Sequence, residues 1–451
     1  MNGLLARLDI VRHYIAARRR TATLHDARLA AWQERRAQQL VNEVRATSSF
    51  HREHWQGRAT SEWRQFPTVD KTMMMQHFDR FNTRGIRRDR ALQVALNAEQ
   101  HRDFSAAVDG CTVGLSSGTS GHRGLFLVSP AEQSRWAGTI LARAIPDLRP
   151  GHRVAFFLRA NSRLYERTSS VVLFRFFDLM QPLVEVIATL NAFQPQLIVG
   201  PPSLLGMLAD ARERGTLTVT PTRLISVAEV IEPRDRARIE GVFQVPVGEV
   251  YQCTEGLVAV TCAHGALHVQ EDVMVMQHEL VSADDPTRVT PILTDLWRRT
   301  QPIIRYRLGD VLRLDTGPRC ACGSTWQRIA AIEGRQDDLC WFPQADDRLR
   351  AIFPDAVRRM VLLAHAGIAE YRAEQSAAGE LTVQLSLRDG AVFDDVAAQL
   401  QQTVRAALRE YGCHATAVSV TEGIPSLPAG VKRRRVICSW KARDRAALVS
   451  A

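Results

Sequence analysis

Apolar residues change rhythm along this chain, and each rhythm predicts a different kind of element. From Thr23 to Val44, Leu24, Leu29, Trp32, Leu40, Val41 and Val44 recur at near-helical spacing among many charges. That pattern predicts a long amphipathic helix lying on a larger body. The middle third alternates short apolar runs with helical stretches: Arg153 to Leu158, Gln196 to Gly200 before Pro202 to Arg214, and Leu224 to Val227 before Pro233 to Phe243. Strand followed by helix, repeated, predicts an α/β fold with mainly parallel sheets. Near the end, Leu381 to Leu387 alternates with period two. A helical pattern from Val392 to Tyr411 and a strand-like run from Ala415 to Val420 follow it, which together predict a small α+β domain.

Punctuation between these stretches suggests boundaries. In Phe66-Pro67-Thr68-Val69-Asp70-Lys71, the proline favours extended chain and the Asp70 carboxylate suits the cap of a following helix. From Val289 onward, loops and short strands are expected, and the polar stretch Gly334 to Asp338 reads as a hinge. The resulting division is a helical segment over 1–65, a large α/β domain over 66–334 and a small mobile α+β lid over 335–451.

Composition sets the class. A chain of 451 residues with 45% hydrophobic and 24% charged residues is too apolar for disorder and too long for one core. Its formal charge of +10 suits anionic partners, among them ATP, coenzyme A and acidic carrier proteins. Basic runs occur at Arg18 to Arg20 and Lys432 to Arg435, but no nucleic-acid-binding motif accompanies them, so nucleic acid is not an expected partner. Arg7, Asp9, Arg12 and His13 interrupt the first segment, which therefore lacks the apolar stretch of a signal peptide. No apolar run reaches the roughly 20 residues that span a bilayer. A soluble cytoplasmic protein is the default expectation, with an interfacial first helix as the alternative. Eight cysteines in that compartment point to metal binding or chemistry rather than disulfides.

The chemistry begins with Leu115-Ser116-Ser117-Gly118-Thr119-Ser120-Gly121-His122-Arg123-Gly124-Leu125. Glycines interleaved with hydroxyl residues allow backbone N–H groups to turn toward a phosphate, and Arg123 adds positive charge. The glycine-lysine-hydroxyl ending of a Walker loop is missing, and a plain surface turn fits the composition as well. Downstream stand Tyr251-Gln252-Cys253-Thr254-Glu255-Gly256, Arg305-Tyr306-Arg307-Leu308-Gly309-Asp310 and Glu333-Gly334-Arg335-Gln336-Asp337-Asp338.

In this order the elements resemble those of the acyl-adenylate-forming superfamily. The resemblance implies that Ser116, Ser117, Gly118, Thr119, Ser120 and Gly121 form the phosphate loop. Arg123 stands where many members carry lysine, which keeps the charge but replaces a point cation with a planar fork. Tyr251 would lie against adenine, Thr254 would touch the α-phosphate and Glu255 would hold magnesium, the last because a hard cation takes carboxylate oxygen. Asp310 would accept hydrogen bonds from the ribose hydroxyls. Arg335 would belong to the hinge and to the ATP site, and Glu229 to the ATP site.

Further stretches are similar to the phenylacetate-CoA ligase group and its relatives named deazaflavin-cofactor synthetase-like or capsule-associated: Phe156 to Ser162, Pro201-Pro202-Ser203, Ser226 to Val230 and Thr300 to Tyr306. Arg159, Asn161 and Tyr165 fall in a segment expected to line the acyl pocket, with an ordinary structural ion pair as the other reading of Arg159. Cys262, His268, Cys320 and Cys322 offer three sulfurs and one imidazole, a complete tetrahedral set for structural zinc, and the resemblance supports the same positions; the tight Cys-x-Cys spacing leaves unrelated thiols as the other reading. Pro425 to Lys432 resembles the loop carrying the adenylation lysine, with Val431 placed before Lys432 where the family more often has glycine directly. A solvated basic patch at Lys432 to Arg435 is the alternative.

The resemblance implies an ATP- and magnesium-dependent ligase. It would activate a small carboxylic acid, with an aromatic acid expected, as an acyl-adenylate and pass it to the thiol of an acyl carrier protein or of coenzyme A. Amide formation, nucleotide transfer and a degenerate, non-catalytic protein are the rival readings.

Overall fold

The computed structural model describes residues 3–101, 107–116, 124–145, 147, 149, 151–158, 171–281, 285–425 and 434–440. The chain divides into two compact units. The first comprises Met1–Leu308 with Arg313–Ala330, and the second Gly309–Leu312 with Ala331–Ala451.

The first unit opens with helices α1 (Gly3–Thr23) and α2 (Asp26–Thr47). The helix expected from Thr23 to Val44 is therefore displaced, because Leu24 and His25 form a break. His25 has extended backbone (φ −133°, ψ 152°), the Trp326 indole N–H donates to the Leu24 carbonyl at 2.7 Å, and the Asp26 N–H donates to Thr325 Oγ1. Short helices α3 (Ser49–His54), α4 (Lys71–Gln76) and α5 (Phe78–Phe81) follow, then α6 (Arg88–His101). Asp70 caps α4 as expected, its Oδ1 accepting the Met73 N–H at 2.8 Å.

A three-stranded antiparallel sheet comes next, with β1 (Ala107–Val108), β2 (Cys111–Leu115) and β3 (Leu125–Val128). Helix α7 (Pro130–Ala144) leaves it through a capping box: the Ser129 N–H donates to Glu132 Oε2 at 2.7 Å, and Ser129 Oγ accepts the Glu132 N–H. Two orphan donors of the first turn are thereby satisfied.

The body is a parallel sheet in the order β5-β4-β6-β7-β8, built from β4 (Arg153–Leu158), β5 (Leu173–Asp178), β6 (Leu197–Gly200), β7 (Arg223–Val227) and β8 (Val247–Cys253). Helices α8 (Leu183–Phe193), α9 (Pro202–Glu213) and α10 (Pro233–Phe243) connect successive strands. Every residue of β6 is buried, as expected of a strand covered on both faces. One face packs Ala155, Phe157, Ile198 and Leu224 with Leu190, Leu205, Leu208 and Ile239 of the connecting helices. The other packs Val154, Leu197, Val199 and Ile225 with Ala137 and Leu141 of α7 and Ile10 of α1. The α/β reading with mainly parallel strands is thus what the chain adopts.

Antiparallel strands extend this sheet: β9 (Gly256–Thr261) beside β8, β10 (Leu267–Val269) beside β9, and the pair β11 (Met274–Leu280) and β12 (Arg288–Asp295) with β13 (Tyr306–Arg307) on β12. The chain passes between units within β14 (Asp310–Leu314) and β15 (Arg328–Arg335).

The second unit contains the hairpin β16 (Cys340–Pro343) and β17 (Leu349–Ile352) and a four-stranded mixed sheet. That sheet runs β20-β19-β18-β21, from β18 (Ile368–Gln375), β19 (Glu380–Leu387), β20 (Ala417–Glu422) and β21 (Val436–Cys438). Helices α11 (Pro354–Ala364) and α12 (Phe393–Glu410) cover one face, burying Val357, Val361, Leu400 and Val404 against Ala373, Val383 and Leu385. The period-two run became β19, and the helical run after it became α12.

Candidate functional site

In the first unit, three stretches far apart in sequence are tied to one another. The hairpin β2–β3 is closed at the root of its glycine-rich connection: Ser116 N–H donates to the Gly124 carbonyl, and Gly124 N–H to Ser116 Oγ, both at 2.7 Å. Ser117, Gly118, Thr119, Ser120, Gly121 and Arg123 lie outside the described residues. Lys71, at the start of α4, comes close to the root, with Cε 2.9 Å from where a Gly124 Cβ would stand.

The Gln301 side chain docks on β3 like a strand. Its Oε1 accepts the Leu127 N–H at 2.9 Å, and its Nε2 donates to the Leu125 carbonyl at 3.0 Å. The turn before it is clamped by Glu132 of α7, whose Oε1 accepts the N–H groups of Arg299 and Thr300 at 2.7 and 2.9 Å. These contacts and those from Ser129 hold the Glu132 carboxyl below its ordinary range although burial opposes them. Arg298 then reaches the Thr254 carbonyl. The hairpin that presents the loop, the clamped turn and the Thr254-Glu255 pair thus form one hydrogen-bonded assembly.

At the end of β8, Tyr251 is buried and Trp136 Nε1 donates to Gln252 Oε1 at 2.9 Å. Thr254 Oγ1 donates to Glu255 Oε2 at 2.9 Å. The buried Tyr306 hydroxyl is hydrogen-bonded to Glu255, and burial followed by the Glu255 charge pushes the phenol up, so it stays a donor. A carboxylate fixed by two hydroxyls keeps lone pairs for a hard cation, and Glu255 fits magnesium in this respect. Asp295, fully buried, takes the N–H groups of Trp297 and Arg298 at 2.9 and 3.2 Å. Burial pushes its carboxyl up to about 6.

Glu229 follows Ala228, whose φ of 69° is left-handed, a conformation a β-carbon disfavours. That turn lets Ser203 Oγ donate to Glu229 Oε2 at 2.9 Å. Arg159, Asn161 and Tyr165 lie outside the described residues.

Cys262, His268, Cys320 and Cys322 bring their ligand atoms within 4.8 Å of one another. Cys262 and Cys320 sulfurs are 3.7 Å apart, and Cys322 Sγ is 3.4 Å from His268 Nε2. Tetrahedral zinc with Zn–S of ~2.3 Å and Zn–N of ~2.0–2.1 Å requires S···S near 3.8 Å and S···N near 3.5 Å. His268 Nδ1 lies 3.1 Å from the Trp326 carbonyl. Donation there fixes the tautomer that leaves Nε2 free for a metal. The donor set and its spacing fit a four-ligand structural zinc.

In the second unit, Arg335 Nε lies 3.3 Å from Asp310 Oδ1, and the Gln336 N–H donates to the Gly309 carbonyl at 2.9 Å. Glu333 is buried, and its carbonyl accepts from Arg358. Gly334, at φ 138°, would carry a Cβ only 3.1 Å from Pro354 Cγ, so both backbone and space select glycine there. Lys432 lies outside the described residues. The flanks of its loop, Pro425 and Arg434, line a groove of 720 Å³ with Glu370, Arg372, Arg388 and Glu422. Arg434 pairs with Asp338, and Arg435 with both Glu370 oxygens at 2.7 and 2.8 Å. These last two arginines of the basic run are engaged in ion pairs, not left to solvent.

Sequence reasoning gave no role to Arg298, Glu132 or Asp295. The signal available was their position just before Thr300 to Tyr306, or in the capping pattern Ser129-x-x-Glu132.

No protein-family model matches the sequence, and no curated protein matches it. Solved structures do. A 2-hydroxyisobutyryl-CoA ligase in its postadenylation state is similar over 96% of this chain and 94% of its own, with TM-score 0.70 and 18% identity. The GH3.15 acyl acid amido synthetase is similar over 95% and 96%, with TM-score 0.58 and 11% identity. An anthranilate CoA ligase bound to anthranoyl-AMP is similar over 75% and 67%, with TM-score 0.50 and 12% identity. The chain has the fold of the adenylate-forming enzymes.

Proposed function

We propose that this chain uses ATP to convert a carboxylic acid into an acyl-adenylate and then transfers the acyl group to a thiol. The observation that carries the proposal is the assembly joining the phosphate-loop hairpin, the Arg298 to Gln301 turn and the Thr254-Glu255 pair, within a fold shared along nearly its whole length with an acyl-CoA ligase. The substrate carboxylate attacks the α-phosphorus, the bond to the β-phosphate oxygen breaks, and pyrophosphate leaves. The thiol sulfur then attacks the acyl carbon and releases AMP.

Backbone N–H groups of Ser116 to Gly121 and the Arg123 guanidinium cradle the phosphates, and Thr254 contacts the α-phosphate. Lys432 stabilises the charge that develops during attack. Tyr251 lies against adenine, Glu229 shapes the nucleotide site, and Asp310 with Arg335 receives the ribose. Glu255 would hold magnesium, which would supply the charge that neutralises the phosphates. Cys262, His268, Cys320 and Cys322 would hold a zinc that ties the β9–β10 turn to the loop after β14. With four protein ligands, such an ion would be structural rather than catalytic.

The acid is taken to be aromatic from the sequence resemblance, with Arg159, Asn161 and Tyr165 in its pocket. The acceptor is a carrier protein or coenzyme A, the basic surface favouring steered approach of an acidic protein. A second reading, amide formation, is favoured by the likeness to an amido synthetase. Incubation with ATP, an acid, and either coenzyme A or an amine, followed by mass analysis, separates the two. AMP with a thioester supports the proposal, AMP with an amide the second reading, and product retaining the nucleotide neither.

A further inference from the structure

Helix α1 has two faces of different kinds. The inner face, Ala6, Ile10, His13 and Ala17, is buried. It is seated on α7 at Gly138, where a Cβ would stand 2.5 Å from the Ile10 carbonyl oxygen and 2.6 Å from His13 Cβ. Arg20 anchors the far end on the buried Asp272 at 2.8 Å. The helix is thus fixed on the body, and its outer face is not exposed by fraying.

That outer face is apolar where solvent would select polar residues. Leu5, Leu8, Val11 and Ile15 are 56%, 57%, 36% and 47% exposed. At about 100° per residue, Leu8, Val11 and Ile15 fall within about 60° of arc, with Leu5 extending the patch. Arg7 and Arg18 border one side of Leu8, Val11 and Ile15, and Arg12 and Arg19 the other, between them and Leu5; all four are exposed. Asp9 pairs with Arg12 and His13 at 3.1 and 3.5 Å. The face therefore carries an apolar strip between two cationic borders, with Asp9 at its edge beside Leu5 and Arg12.

We propose that the outer face of α1 docks on an anionic lipid bilayer, with Leu5, Leu8, Val11 and Ile15 at the acyl boundary and Arg7, Arg12, Arg18 and Arg19 on the lipid phosphates. The pattern is that of a helix lying in the interface plane, and among the described residues no helix is long and apolar enough to cross a membrane. Charge selects this occupant over a second copy. A two-fold contact sets the same face against itself, which would bring eight arginines together against only two Asp9 carboxylates.

The test is co-sedimentation of the full chain with vesicles of phosphatidylcholine alone and of equimolar phosphatidylcholine and phosphatidylglycerol. The parent should sediment with the anionic vesicles only and dissociate as salt is raised. Leu8→Asp with Ile15→Asp should abolish binding. Arg7→Gln with Arg18→Gln, which leaves the apolar strip intact, should weaken it by about fivefold per arginine. Absence of binding, binding unchanged by both pairs of substitutions, or a parent dimer that the Asp pair converts to monomer would each overturn the proposal.

Discussion

Arg335 holds its guanidinium Nε 3.3 Å from Asp310 Oδ1, inside the second unit and directly after the glycine at position 334. One carboxylate is thus oriented by the residue that follows that glycine. If Asp310 accepts the ribose hydroxyls, Asp310→Ala should raise the KM for ATP about ten- to a hundredfold, the scale of a lost hydrogen bond to a charged group. Arg335→Ala should give a smaller increase, because the acceptor remains but is no longer oriented. Steady-state kinetics with varied ATP check both.

The hydroxyl of Tyr306 is bonded to Glu255, and burial keeps it protonated. Tyr306→Phe removes one of two hydroxyl donors that fix the proposed magnesium carboxylate while leaving the ring in its core. The magnesium concentration for half-maximal activity should rise several-fold, with the KM for the acid unchanged. Equal loss at every magnesium concentration would instead mark Tyr306 as a packing residue.

Zinc content is measured directly by elemental analysis, with one ion per chain expected. Cys322→Ser should lose the ion, and the melting temperature should fall toward that of the chelator-treated parent. With zinc at about a hundred times its Kd, the stabilisation lost is about 3 kcal/mol.

Asp295 supplies a pH-dependent stability with a definite sign. Its folded carboxyl is pushed up to about 6 by burial, from 3.8. The folded state therefore binds more protons than the unfolded state between those values, and stability falls as pH rises through that window. Above it the whole cost, on the order of 3 kcal/mol, is present. Asp295→Asn keeps an oxygen for the Trp297 and Arg298 N–H groups but cannot ionise. Its melting temperature should exceed the parent's near pH 7, with the gap narrowing toward pH 5.

Features set by neighbouring residues were legible in the sequence. Asp70 as a cap, the alternation of β19 and the strand-helix repeats from Arg153 to Phe243 all depend on local spacing. The Gln301 bridge to β3, the Arg298 contact with Thr254 and the Glu132 clamp were not legible. Each joins residues tens to more than a hundred positions apart, and nothing in their immediate neighbours marks the partner. The break between α1 and α2 has the same origin, since Trp326 and Thr325 impose it from across the unit. Of the proposed site, the motif residues could be read but not the side chains that hold them together.

The central claim is acyl-adenylate formation, and the most direct measurement is ATP–pyrophosphate exchange across aromatic and aliphatic acids, with Asp310→Ala and Lys432→Ala beside the parent. The account predicts exchange driven by one class of acid and lost in both variants. Exchange that stays absent with every acid while ATP still binds would contradict it.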